Sequence, residues 1–184
     1  MGTDATNPQS IYGLTKLNGE QAILKYCAKH IILRTAWVFA EPGNNFVKTM
    51  LRLAQSRLEL GVVADQIGGP TYAGDIAEAI ISIMSQLGLE NEQRFGIYHY
   101  SGAPYVSWHR FGYSIFQQAV QQQLIAHAPK VNAITTAQYP TPAKRLAFSM
   151  LNCSKIEQTF SITQSNWQAA LNNLTLYKWT LWKL

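Results

Sequence analysis

Near the start of the chain, in IYGLTKLNGEQAI at positions 11 to 23, Tyr12 and Lys16 stand four residues apart at the head of a helix-like run. On a helix that spacing puts both side chains on one face, one turn apart. An ammonium beside a phenol stabilises the phenolate, so the hydroxyl gives up its proton more readily. Such an acid suits carbonyl reduction, where negative charge grows on oxygen as hydride reaches carbon. The lysine can in addition hydrogen-bond a cofactor ribose. Taken alone, Tyr-x-x-x-Lys also describes two ordinary residues on a helix face. A cofactor site would be expected upstream of such a pair, and eleven residues precede Tyr12.

The elements that must hold these residues alternate between strand and helix, an α/β pattern. Positions 13–29 read as a helix with Leu17, Ala22, Ile23 and Tyr26 near one face. The apolar run IILRTAWVFA, bounded by Lys-His and Glu-Pro-Gly, predicts one buried strand. NNFVKTMLRLAQSR predicts a helix and LGVVAD a short strand, while the glycines and proline of QIGGPT predict a loop. Ile76, Ala79, Ile80 and Ile83 form a helical stripe within 72–87, and FGIYHYSG reads as a strand. Ser107 is placed to cap a helix running toward Leu124. NAITTAQYPTPAKRLAF mixes strand and loop. Ser154 with Glu157 predicts a capping box, and Ser165 a cap for the last helix.

Composition narrows the classes. The chain has 184 residues, 47% hydrophobic and 14% charged, which suits one globular domain. No apolar run approaches the roughly 20 residues of a membrane span. The first residues lack a basic and then apolar leader, so no secretory signal is expected, and MGTDAT matches the myristoylation pattern by chance. Cys27 and Cys153 give no disulfide framework and suit a reducing cytoplasm, where the sequons NCS and NLT carry no meaning. The net charge of +5 is scattered, with AKR at 143–145 the one cluster, so no nucleic-acid partner is expected. That excess suits an anionic small molecule such as a diphosphate. His30, His99, His109 and His127 share no metal or triad spacing. Asp4 and Asp75 read as capping or solvated acids, and Trp179 with Trp182 as a packing or contact surface.

The longer strings say more. TDATNPQSIYGLTKLNGEQ, HIILRTAWVFAEPGNNFVKTMLRLA, VVADQIGGPTYAGDIA, GIYHYSG with SWHRFGYSIF, and YPTPAKRLAFSMLN follow one another over about residues 3 to 170. In these strings the chain resembles the extended short-chain dehydrogenases/reductases, and within them the dTDP-4-dehydrorhamnose reductases. The resemblance implies the latter part of a Rossmann-like NAD(P)-binding fold, in residues 1–60. Residues 61–184 would be mainly the small substrate-binding α/β lobe, interleaved with the sheet. It implies reduction of the 4-keto group of dTDP-4-dehydro-L-rhamnose by NADPH or NADH. Tyr12 would be the general acid and Lys16 its partner on the nicotinamide ribose. Trp37 would pack against the substrate's sugar, although by itself it reads as one aromatic in a buried strand. Asn44 and Asn45 would meet the nucleotide, with a helix cap as the plainer reading, and Phe46 follows them at the helix start. Gln66, Pro70 and Thr71 belong to the matching loop, where Gly68 and Gly69 let the backbone turn. Arg145 would pair with the diphosphate through its guanidinium fork, or be a solvated arginine. Leu146 stands where the family has proline, which leaves the aim of Arg145 open. Magnesium is known in the family, but no carboxylate cluster marks a metal ligand here.

A glycine-rich strand-turn-helix for the dinucleotide is absent from the sequence, so a cofactor half would come from outside these residues. A missing N-terminal half or a homodimer partner is therefore an expected partner, beside the nucleotide sugar. Two other readings stay open. One is a non-catalytic module like the regulatory subunit of methionine adenosyltransferase, and the other a related nucleotide-sugar epimerase or dehydratase.

Overall fold

In the computed structural model, which describes residues 4–87, 94–142 and 145–177, Ser10 opens the first helix, α1 (Ile11–Tyr26). Its Oγ accepts the Gly13 N–H at 3.1 Å, satisfying one of the donors a helix start leaves unpaired. The expected apolar stripe is not buried. No residue of α1 is buried, and Ile11, Leu14, Ile23, Leu24 and Tyr26 are exposed. The reason is their distribution: at 100° per residue these positions spread around the helix, so no single face can be turned inward. What ties α1 to the sheet is charge. Arg34 donates from Nε and Nη2 to the two carboxylate oxygens of Glu20, at 2.9 and 2.6 Å. The Met1–Gly2 start of the myristoylation pattern, Ala143 and Lys144 of the basic cluster, and Trp179 and Trp182 lie outside the described residues.

The apolar run after α1 is not one strand but two, β1 (Ile31–Arg34) and β2 (Val38–Phe39). The chain changes sheets between them. β1 pairs in parallel with β6 (Gly96–His99), whereas β2 pairs in parallel with β5 (Thr71–Tyr72). The change of direction is taken at Trp37, whose φ of 52° lies in the left-handed region. Helix α2 (Phe46–Ala54) follows, then β3 (Glu59–Val63), which pairs with β9 (Lys130–Ile134). The loop expected in QIGGPT holds β4 (Ile67–Gly68) and the start of β5, ladders too short to show as a period in sequence. β4 lies between β8 (Val106–Ser107) and β10 (Phe148–Ser149), and only its pairing with β8 is antiparallel among those described. β7 (Gly102–Ala103) pairs with β11 (Ser165–Asn166).

Two apolar clusters hold these pieces. The first joins α2 and α4 (Trp108–Gln121) to the C-terminal segment, through Val47, Met50, Phe111, Phe116, Trp167 and Leu171. The second joins α3 (Ala73–Gln86) and α5 (Ser154–Phe160) to β6, through Ala79, Ile83, Tyr98, Ile156 and Phe160. Ile83 and Ala79 of the α3 stripe are buried as their spacing predicts, Ile76 is partly buried, and Ile80 is exposed. Each cluster draws on residues from both sides of position 60.

The caps divide. Ser107 does cap α4, accepting the Arg110 N–H at 3.1 Å. Ser154 does not cap α5. It is the first helical residue, and Asn152 Oδ1 accepts both its N–H at 3.0 Å and its hydroxyl at 2.6 Å. Nor does Ser165 cap α6 (Trp167–Ala170). Asn166 accepts the Ala169 N–H, while Ser165 Oγ donates to Asp75 at 2.6 Å and accepts the Tyr72 N–H at 3.2 Å. A side-chain oxygen can serve a local cap or a distant partner, and only the folded chain brings Asp75 within reach. Asp75 itself lies in the first turn of α3.

His99 gives the fold a pH signature. It is 7% exposed and sits opposite Arg34 in the β1–β6 ladder. Burial first, then the Arg34 charge, lowers its pKa below the ordinary histidine value. The unfolded chain therefore binds more protons at this residue than the folded one below about pH 6.5. Stability is expected to be fully present above that pH and to fall as pH drops through it toward the depressed folded value. Urea titrations at a series of pH values check this, and His99→Asn should remove that part of the slope.

Candidate functional site

Two separate groups of side chains carry the candidate chemistry. The first is at the start of α1. Tyr12 is the second helical residue and is 72% exposed, and Lys16 Nζ lies 5.5 Å from the centre of its ring. The helix thus sets hydroxyl and ammonium one turn apart on an open face, as their spacing predicts. Thr15 Oγ donates to the Tyr12 carbonyl at 2.9 Å.

The second group surrounds Trp37. Its carbonyl accepts the Thr71 N–H at 3.1 Å. Thr71 is 0% exposed, and its Oγ lies 2.7 Å from Ala36 O and 2.9 Å from Gly69 O, with one proton to offer them. The same oxygen accepts the Gly102 N–H at 3.1 Å. One threonine therefore pins three backbone segments and holds the left-handed turn that aims the indole. Below it the backbones nearly touch: a Cβ on Gly69 would fall 2.2 Å from Gly102 O, and a Cβ on Gly68 2.4 Å from Trp37 Cε2. Trp37 stacks on Trp108, with centroids 3.5 Å apart and planes 9° from parallel. No sequence signal marked Trp108, which reads there as the first residue of a capped helix.

The remaining predicted residues are distributed around this group. Asn45 caps α2: its Oδ1 accepts the Lys48 N–H at 3.2 Å and its Nδ2 donates to Ala40 O at 2.6 Å. Both ends of that amide are engaged, so the plainer of the two sequence readings is realised in the structure. Asn44, next to it, is exposed. Gln66 is 8% exposed, and its Nε2 donates to Thr136 Oγ1 at 3.0 Å. Asp65 beside it accepts the Thr136 N–H and hydroxyl, which hold its carboxyl below the usual range. Arg145 and Leu146 are exposed. Tyr72, unmarked in sequence, donates its hydroxyl to Glu41 at 2.7 Å, a bond that pushes its pKa up to about 12. Among the described residues no group of three His, Cys, Asp or Glu is placed to hold a metal ion, so magnesium has no assigned ligand. No helix among them is long and apolar enough to cross a membrane.

The mainly parallel α/β framework is the Rossmann-like fold of the extended short-chain dehydrogenases/reductases. More narrowly, the chain belongs to the family of the RmlD substrate binding domain, whose model matches residues 1–177. It is 54% identical to the dTDP-4-dehydrorhamnose reductase of Aggregatibacter actinomycetemcomitans, over 95% of this chain and 60% of that relative. It is 41% identical to the Escherichia coli K12 enzyme of the same name, of which it spans 57%. The Bacillus anthracis dTDP-4-dehydrorhamnose reductase, solved in complex with NADP, superposes with a TM-score of 0.83 at 31% identity. That match covers 95% of this chain and 58% of the other. The chain thus spans less than two thirds of the length of these relatives.

Proposed function

We propose that this chain supplies the acid and the substrate-holding side of a dTDP-4-dehydrorhamnose reductase, converting dTDP-4-dehydro-L-rhamnose to dTDP-L-rhamnose. The observation that carries this is the open Tyr12–Lys16 pair, intact in a member of the RmlD family. In a chain kept only for contacts, nothing would ask for such a pair.

When bound, the nicotinamide, NADPH or NADH, would supply the hydride for C4 of the sugar. Tyr12 gives its hydroxyl proton to O4 as charge develops there, and Lys16 stabilises the phenolate left behind. The residues present fit the ribose end of that cofactor: a phenol and an ammonium on one exposed helix face match ribose hydroxyls. Residues 1–60 bring this pair, and 61–184 mainly form the substrate lobe. Trp37 packs against the sugar, while Asn44 and the Asn45 turn, from the first part, and Gln66, from the lobe, line the nucleotide end. Arg145 neutralises diphosphate oxygens. The reaction takes place in the cytoplasm.

The test is a chimera in which the portion of the Aggregatibacter relative not covered by this chain is joined to it. With dTDP-4-dehydro-L-rhamnose present, oxidation of NADPH or NADH and formation of dTDP-L-rhamnose are expected. A folded chimera that binds the cofactor but forms no product would sink the assignment.

A further inference from the structure

We infer that Trp108 is a positioning residue for Trp37, and that the pair acts as one rigid aromatic wall against the sugar of a nucleotide-sugar ligand. The inference rests on the substrate role proposed above for Trp37.

Trp37 alone could not hold its place. Its backbone sits at φ 52°, a conformation costing a bulky residue free energy that its surroundings must offset. Its ring is constrained by two neighbours from distant parts of the chain. Gly68 in β4 comes so close that a methyl group there would fall 2.4 to 2.8 Å from indole atoms Cε2, Nε1 and Cζ2. Trp108 covers one face at 3.5 Å between centroids, nearly parallel.

Trp108 is in turn anchored in the core. Phe46 packs against it at 4.7 Å, Phe46 stacks on Phe111 at 5.6 Å, and Phe111 meets Trp167 edge-on at 5.3 Å. Phe111 and Trp167 are fully buried in the first apolar cluster. A continuous run of rings therefore leads from the packed interior to Trp37, which remains partly exposed. Close-packed interiors transmit constraint of this kind, and a wall fixed before binding loses no side-chain freedom when a ligand arrives. The nucleotide end of the ligand lies outside this device, so its effect should be confined to the sugar.

The experiment measures Kd for dTDP-L-rhamnose and for dTDP by titration calorimetry on the full chain. It adds the far-ultraviolet exciton couplet that two stacked indoles produce. Wild type is expected to show the couplet and to bind the sugar nucleotide more tightly than dTDP. Trp108→Leu should abolish the couplet and weaken dTDP-L-rhamnose about tenfold while leaving dTDP unchanged. Gly68→Ala, whose added methyl meets Trp37 first and leaves the Trp108 side chain unaltered, should give the same selective loss, and it carries the test where Trp108→Leu fails to fold. Trp108→Phe should recover part of the affinity, since a ring still covers Trp37. Wild-type spectra without a couplet would overturn the proposal. So would full sugar-nucleotide affinity in Trp108→Leu and Gly68→Ala alongside a loss in Trp37→Ala, with the role of Trp37 left standing. Unchanged affinity in Trp37→Ala itself, or a wild type that does not discriminate between the ligands, would remove the role of Trp37 and this inference together.

Discussion

Tyr12→Phe is expected to lower turnover of dTDP-4-dehydro-L-rhamnose by roughly two to four orders of magnitude, the range typical of removing a positioned general acid. The same change should leave stability within about 0.5 kcal/mol of wild type, as for exposed substitutions away from packed features. Both expectations follow from one observation. The ring is 72% exposed at the first turn of α1, on a helix with no buried residue. The hydroxyl is thus available for chemistry and carries no packing that its loss would disturb. In the chimera described above, kcat from product formation and a urea denaturation curve separate the two effects. A kcat within a few-fold of wild type would mean that another group protonates O4. Equal collapse of activity and stability would mean that the hydroxyl holds structure instead.

The largest expected effect on stability falls at a glycine. Gly102 pairs with Ser165 in the β7–β11 ladder, and its N–H donates to Thr71. A Cβ placed there would lie 1.7 Å from Pro70 O and 2.8 Å from Pro70 C. These are backbone atoms, which cannot rotate away as a flexible side chain would. Gly102→Ala must therefore push the 69–71 segment off Thr71's bonds to Ala36 and Gly69, and with it the turn that aims Trp37. A loss of roughly 4 kcal/mol or more is expected, in the range reserved for severe core disruption. That is a large part of the roughly 5 to 15 kcal/mol that holds a domain folded. Gly19→Ala makes the control. Gly19 lies within α1 with nothing inside 4 Å of its Cβ position, so helix propensity alone should make that change stabilising by about 0.5 to 1 kcal/mol. Denaturant midpoints for the two variants should move in opposite directions. A Gly102→Ala loss below about 1 kcal/mol would show that these three segments do not cross as closely as the structure places them.

Much of this was legible in the chain because it depends on near neighbours. The Tyr12–Lys16 pair needs only a helix and a spacing of four, and Ser107 marks its helix start by accepting the amide three residues on. Alternating strand and helix patterns carried the α/β class. The long matching strings identified the family, which the RmlD model over 1–177 bears out.

The strand over 31–40 was misread because periodicity reports burial, and both β1 and β2 have buried positions. What divides them is the identity of their partners, β6 and β5, which lie far along the chain. The caps of α5 and α6 were misplaced for a related reason: Ser165 had a stronger partner in Asp75 than in its own helix. Apolar residues on α1 suggested a buried face, yet they encircle the helix and none is buried.

The sequence by itself therefore determined the fold class, the family and the placing of Tyr12 and Lys16 on one helix face, since each is written in local spacing or in contiguous motifs. Only the tertiary structure decided that Asn45 serves its cap, that Thr71 pins the Trp37 turn, and that Trp108 backs the indole. Those outcomes turn on which distant groups come within 4 Å, a distance no spacing along the chain encodes.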